Sequence, residues 1–154
     1  MRAPARQVPG LVYGEVLGYR PLELDLYLPQ IDGSAPVIVY VHGGGWRRGS
    51  RREPLPVLGA DFYDRLTTQG FAVAAIDYRL SGEARFPAPL EDVRTAIGWV
   101  RDHAASYRLD AGRVFLWGDS AGGHLALLAA LTGSIVHGVV AWFPVTDLAG
   151  LPAD

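Results

Sequence analysis

The chain contains no cysteine. That absence excludes disulfides, a thiolate nucleophile and zinc–thiolate sites. No apolar run approaches the ~20 residues that a membrane-spanning helix needs. The opening MRAPARQVPGLVYGE starts basic but lacks an apolar core of roughly 7–15 residues, so no secretory signal is visible. A cytoplasmic protein is the expectation. Charge of one sign is also missing. The formal net charge is −2 and no block of like charges occurs, so nothing points to nucleic acid or an anionic membrane as a partner. Arg47, Arg48, Arg51 and Arg52 make a small basic cluster, read as a solvated loop. No repeat and no low-complexity linker interrupts the chain. What remains is apolar: 49% hydrophobic against 19% charged, which marks a globular protein and not a disordered one. At 154 residues the chain suits one domain, residues 1–154, with a true core.

Two hydrophobic periods alternate along it. In LELDLYLP, Leu22, Leu24, Leu26 and Leu28 share one side, and Glu23, Asp25 and Tyr27 the other. That period of two predicts a strand with one wet face, antiparallel and near a sheet edge. Residues 37–41 are apolar without alternation, as in a strand covered on both faces. FAVAAIDYRL and RVFLWGDS repeat the pattern, and IVHGVVAWFP does so more loosely. Residues 61–68 predict a short helix ended by Gly70. Leu90, Val93, Ile97, Val100 and Ala104 recur every three or four residues, with Pro89 suited to the first turn, and predict a longer one. AGGHLALLAAL is largely apolar and reads as a buried helix. Strands alternating with helices imply an α/β fold, a mostly parallel sheet with helices on both faces. Its chemistry belongs beyond the carboxyl ends of the strands, at residues 42–45, 77–78, 118–120 and 144–147.

One serine stands at such an end. GDSAG, with Ser120 at its centre, fits G-x-S-x-G between a strand and a helix. A turn that tight strains the serine backbone and lifts its hydroxyl clear of the sheet. Gly118 and Gly122 leave room for the neighbouring strand and helix. The helix start adds free N–H groups and partial positive charge, which favour developing negative charge nearby. The bland alternative is a glycine-rich turn that only packs helix on sheet. HGGGW, ending at Trp46, follows the first buried strand. Consecutive glycines let a backbone approach a ligand and point N–H groups at it. Two donors from residues 43–45, with one from Ala121, would form an oxyanion hole. A phosphate loop is the rival reading, but it wants Lys-Ser/Thr after the glycines, where Trp46 and Arg47 stand.

HGGGW, DYRLSGEARFPAPLEDVRTAIGWVR and GDSAGGHLA together resemble the α/β-hydrolase fold. Within it they resemble hormone-sensitive-lipase-like bacterial esterases, especially the feruloyl-esterase-like (BD-FAE) branch, over about Leu24 to Leu148. The resemblance implies hydrolysis of small carboxylic esters through an acyl-enzyme, with no metal and no cofactor. It assigns the nucleophile to Ser120 and the oxyanion donors to Gly43, Gly44 and Ala121. It places Trp46 and Asp119 near the substrate.

A serine hydroxyl needs a base, and in this fold the order is Ser, then an acid, then His. After Ser120 come only His124 and His137. His124 is one helical turn on, with its serine neighbour aimed away. His42 is expected to order the glycine loop, His103 to be solvated, and His137 to sit at the wrong end of the last strand. Asp147 is a candidate acid, or the cap of a turn. Asp77 is expected to anchor the loop beneath the site. The acid, the base and the last strands are therefore expected beyond Asp154. A final strand left as an apolar edge invites a second chain or a homodimer to complete the sheet. The alternative function is a non-catalytic hydrolase-like interaction module, and a remote third is peptide or amide cleavage. The cap over the site amounts to the N-terminal arm and SGEARFPA.

Overall fold

The continuous apolar runs become the central strands, and successive side chains go to opposite faces of one sheet. The computed structural model describes residues 5–151, so the start of the N-terminal leader reading lies outside the described residues. The strands are β1 (Arg6–Gly14), β2 (Leu22–Leu28), β3 (Ala35–Val41), β4 (Ala72–Ile76), β5 (Leu109–Asp119) and β6 (Gly138–Trp142). The helices are α1 (Phe62–Thr68), α2 (Ala88–Asp102), α3 (Ala104–Tyr107) and α4 (Ala121–Leu131). The sheet order is β1-β2-β4-β3-β5-β6. β4, β3, β5 and β6 are parallel, while β2 runs antiparallel to both β1 and β4.

Alternation divides the core in two. Val37, Val39 and Val41 of β3, with Ala72, Ala74 and Ile76 of β4, face α2 and α4 and join Val93, Ile97 and Leu125. Tyr40, Val73 and Ala75 face the other way, against Phe62 and Tyr63 of α1. Helices thus cover both faces, as the alternation of elements predicts. Each fully buried Leu or Ile contributes about 1.5–3 kcal/mol over leaving it in water, so the sheet is a rigid base for the loops at its carboxyl end.

Several expectations change. The N-terminal arm is not a cap. It is β1, an edge strand with register shifts at Val8/Leu11 and Val12/Gly14. β2 is antiparallel and next to that edge, as expected, but its polar side is not wet: Asp25 is buried against Arg51. α4 buries Leu125, Ala126 and Ala129 but leaves Leu131 80% exposed, so it is apolar all round yet covered on one side. Among the described residues β6 has one neighbour, β5, and Val140 on it is exposed.

Candidate active site

β5 ends at Asp119 and α4 begins at Ala121, leaving Ser120 alone to make the turn. Its backbone sits at φ 50°, ψ −117°, a region that an L residue adopts only under strain, of order 1–3 kcal/mol. Two contacts hold it there. Its N–H donates to the Trp142 carbonyl of β6 at 2.7 Å, and its carbonyl accepts the His124 N–H at 3.0 Å, opening α4. The packing leaves no alternative to glycine on either side. A Cβ on Gly122 would run into the Val41 and His42 carbonyls, and one on Gly118 into the Gly122 backbone. Ser120 is half-buried and lines an open cleft of about 1630 Å³.

The glycine loop forms the facing wall. A Cβ on Gly43 would strike the Asp119 carboxylate, so the loop lies directly against the serine turn. Among the described residues, the N–H groups of Gly43, Gly44 and Ala121 donate no hydrogen bond to another protein group. Ala121 is the first residue of α4, where an uncommitted N–H is expected. Gly43, Gly44 and Ser120 thus line one cleft, and the buried Ala121 opens α4 directly after the serine. Uncommitted backbone amides of this kind can accept an anionic oxygen.

Buried side chains lock this arrangement. Asp119 is 3% exposed, and the Tyr40 hydroxyl donates to its Oδ1 at 2.6 Å. The same hydroxyl accepts the Leu55 N–H at 3.2 Å. Burial, aided by Asp119, pushes the Tyr40 phenol well above its ordinary pKa. Asp119 therefore braces the turn from below, though it also borders the cleft. Trp46 lines the cleft at φ 60°, with its ring edge-on to His124 at 5.3 Å.

The four histidines separate cleanly. His42 is buried, stacks on Tyr78 at 4.4 Å, and its Nδ1 lies 2.7 Å from the Gly43 carbonyl. Burial outweighs that hydrogen bond and lowers its pKa, so it orders the loop as a neutral ring. His124 lines the cleft with a buried Nδ1 that has no partner among the described residues, and burial alone lowers its pKa. His103 is not solvated: it stacks on Trp99 at 4.1 Å and its Nδ1 meets the Trp99 carbonyl at 2.9 Å. His137 is exposed, just before β6 and at the opposite end of the sheet from Ser120. Among the described residues no histidine ring is hydrogen-bonded to the Ser120 hydroxyl. Asp147 accepts the Ala149 and Gly150 N–H groups at 3.0 and 3.1 Å, which makes it a turn cap.

The basic cluster splits. Arg51 is not solvated: it is 7% exposed and ion-paired with Asp25 at 2.7 Å, Glu23 at 2.9 Å and Asp77. Asp77 also accepts the Arg51 N–H at 2.7 Å, and Tyr63 donates to the Arg51 carbonyl at 3.0 Å. This ties the glycine loop to β2 and to the end of β4. A second buried pair, Arg79 with Asp92 at 2.6 Å, fixes the loop after β4 to α2. Neither pair is foreshadowed by spacing. No helix among the described residues is long and apolar enough to cross a membrane.

Comparison with known proteins places this geometry in context. The BD-FAE family model matches residues 24–153. Esterase LipC of Mycobacterium tuberculosis is 40% identical over 100 residues, which cover 65% of this chain and 24% of that protein. Carboxylesterase NlhH of the same species is 35% identical over 123 residues, covering 77% and 37%. Among solved structures, a hyperthermophilic esterase from the archaeon Pyrobaculum calidifontis superposes with a TM-score of 0.75 at 30% identity, over 97% of this chain and 46% of that one. A truncated form of a carbohydrate esterase from gut microbiota gives 0.79 at 29% identity, over 95% and 59%. The chain thus spans between 24% and 37% of the length of the two curated relatives it is compared with.

Proposed function

The chain belongs to the BD-FAE family of α/β-hydrolases, and we propose that it is the nucleophile-bearing portion of a serine carboxylic ester hydrolase. Ser120 Oγ attacks the ester carbonyl carbon as a base removes its proton. The carbonyl oxygen becomes an oxyanion held by the Gly43, Gly44 and Ala121 N–H groups. Collapse expels the alcohol and leaves an acyl group on Ser120, which water then hydrolyses. Each amide donor to such an oxyanion is worth about 2.7–4 kcal/mol of barrier. The observation that carries this reading is the strained Ser120 opposite uncommitted loop amides in one cleft.

The base and its acid are proposed to come from polypeptide outside these 154 residues, either further chain or a second protein. His42 and His103 are committed elsewhere, His137 is remote, and His124 lies along the helix from which the serine turn departs. Chemical rescue tests this. Imidazole, a diffusible substitute for the absent base, is expected to accelerate p-nitrophenyl butyrate hydrolysis by the wild-type chain well beyond its effect on Ser120→Ala. Equal imidazole dependence in the two proteins would reject Ser120 as nucleophile and leave the interaction-module reading, which the exposed β6 edge favours.

A further inference from the structure

Resting on the reading of Ser120 as nucleophile, we infer that the substrate is an ester carrying a second, anionic oxyacid group received by arginines of the cleft. Arg47, Arg48, Arg52 and Arg85 line the same cleft as Ser120, against the two carboxylates of Glu53 and Asp119. That is an excess of positive charge in a chain whose net charge is −2. Asp119 is buried beneath the turn and engaged with Tyr40, so the surface of the cleft is more positive still.

The arginines divide by what they touch. Arg51 and Arg79 are buried and saturated with carboxylates, so they are scaffold. Arg52 is exposed and reaches Asp25 at 3.2 Å. Arg48 and Arg85 are exposed, and among the described residues their guanidinium groups have no side-chain partner. They come from two different segments, the glycine loop and the loop before α2, and both border one cleft. The same cleft has apolar lining: Trp46, Leu55, Phe86 and Leu148. An ester with an apolar body and an anionic end matches that layout. A guanidinium pairs bidentately with carboxylate or phosphate, and a cleft lined with one sign of charge concentrates the opposite sign. The shared chemistry is an oxyacid anion, supplied by a dicarboxylic half-ester or by a phosphate-bearing ester.

Binding, measured without turnover, tests this separately from the nucleophile. The probes hold no carboxylic ester: glutaric acid monoanilide with its neutral primary amide, and a phosphate-bearing anilide with its neutral dimethyl phosphate ester. Each is titrated calorimetrically into the full chain at low salt and at about 0.5 M salt, where screening shortens to a few ångströms. At least one anion is expected to bind about tenfold more tightly than its neutral twin at low salt, within the range that charged clefts provide. The advantage should fade at high salt and vanish in Arg48→Glu/Arg85→Glu. It should persist in Arg113→Glu, a reversal at the far end of β5. Arg48→Gln and Arg85→Gln, each changing one exposed side chain, should each lose part of it. The winning pair identifies the carboxylate or the phosphate. Equal affinity of both anions and their twins, or an advantage that survives the double reversal, overturns the inference. A negative Ser120→Ala experiment would instead strike the nucleophile reading alone.

Discussion

Replacing Arg51 with methionine leaves three carboxylates without the cation they share. The side chains of Asp25, Asp77 and Glu23 are 7%, 14% and 37% exposed. Removing one partner of a buried ion pair costs about 3–5 kcal/mol, because the remaining charge is uncompensated. The lower end applies here, since Arg52 still reaches Asp25 at 3.2 Å and Glu23 can turn to water. With a urea slope of about 1–3 kcal/mol/M, a loss near 3 kcal/mol lowers the midpoint by roughly 1–3 M. The pH dependence gives the sharper signature. Burial opposes ionisation of Asp25, but hydrogen bonds from Arg51, Gly10 and Arg52 outweigh it and hold its carboxyl below the ordinary value of 3.8. A depressed carboxyl stabilises the fold above that ordinary value and loses its contribution as pH falls through the folded one. Without Arg51, burial dominates and protonation of Asp25 relieves the variant. The stability gap between wild type and Arg51→Met should therefore be widest near neutrality and narrow as pH drops toward 4. Urea titrations of both proteins across that range measure it. A gap below 1 kcal/mol at pH 7, or one that does not change with pH, would refute the reasoning.

Three further outcomes follow from the site. Gly122→Ala should destabilise the chain by roughly 1–3 kcal/mol, as overpacking does, because its Cβ meets the Val41 and His42 carbonyls. It should also abolish imidazole rescue at Ser120 in whatever fraction stays folded by circular dichroism. Rescue at wild-type level in that variant would mean the turn tolerates a side chain. His124→Ala should leave the Ser120-dependent rate within a few-fold, whereas loss of a general base costs about 10²–10⁴-fold. A hundredfold drop would make His124 the base.

The legible part of the fold was local. Residues 37–41, the α2 periodicity and the GDSAG corner each announce themselves within a dozen residues, and each stands where expected. β1 gave no such signal. Pro9 and Gly10 sit inside it, its register shifts twice, and Asp25 accepts the Gly10 N–H at 2.8 Å across the pair. Its strand character comes from its partner and not from its own pattern. The same holds for the buried polar contacts. Arg51 lies 26 residues from Asp25, and Tyr40 lies 79 from Asp119. Only the sheet order, with β4 between β2 and β3, brings the first pair together. Alternation in LELDLYLP correctly found the two faces of β2. It could not reveal that an arginine from another loop buries the polar one.

The central claim is that Ser120 takes up the acyl group. The direct measurement is peptide mass spectrometry after incubation with p-nitrophenyl butyrate and imidazole, quenched in acid. The background is low, because the chain has no cysteine or lysine to compete and an acyl group on any of its four histidines is lost to water far faster than a serine ester. The account predicts one butyryl ester, on the peptide containing Ser120, and none in Ser120→Ala. Acylation elsewhere with Ser120 unmodified, or the same label in Ser120→Ala, would contradict it.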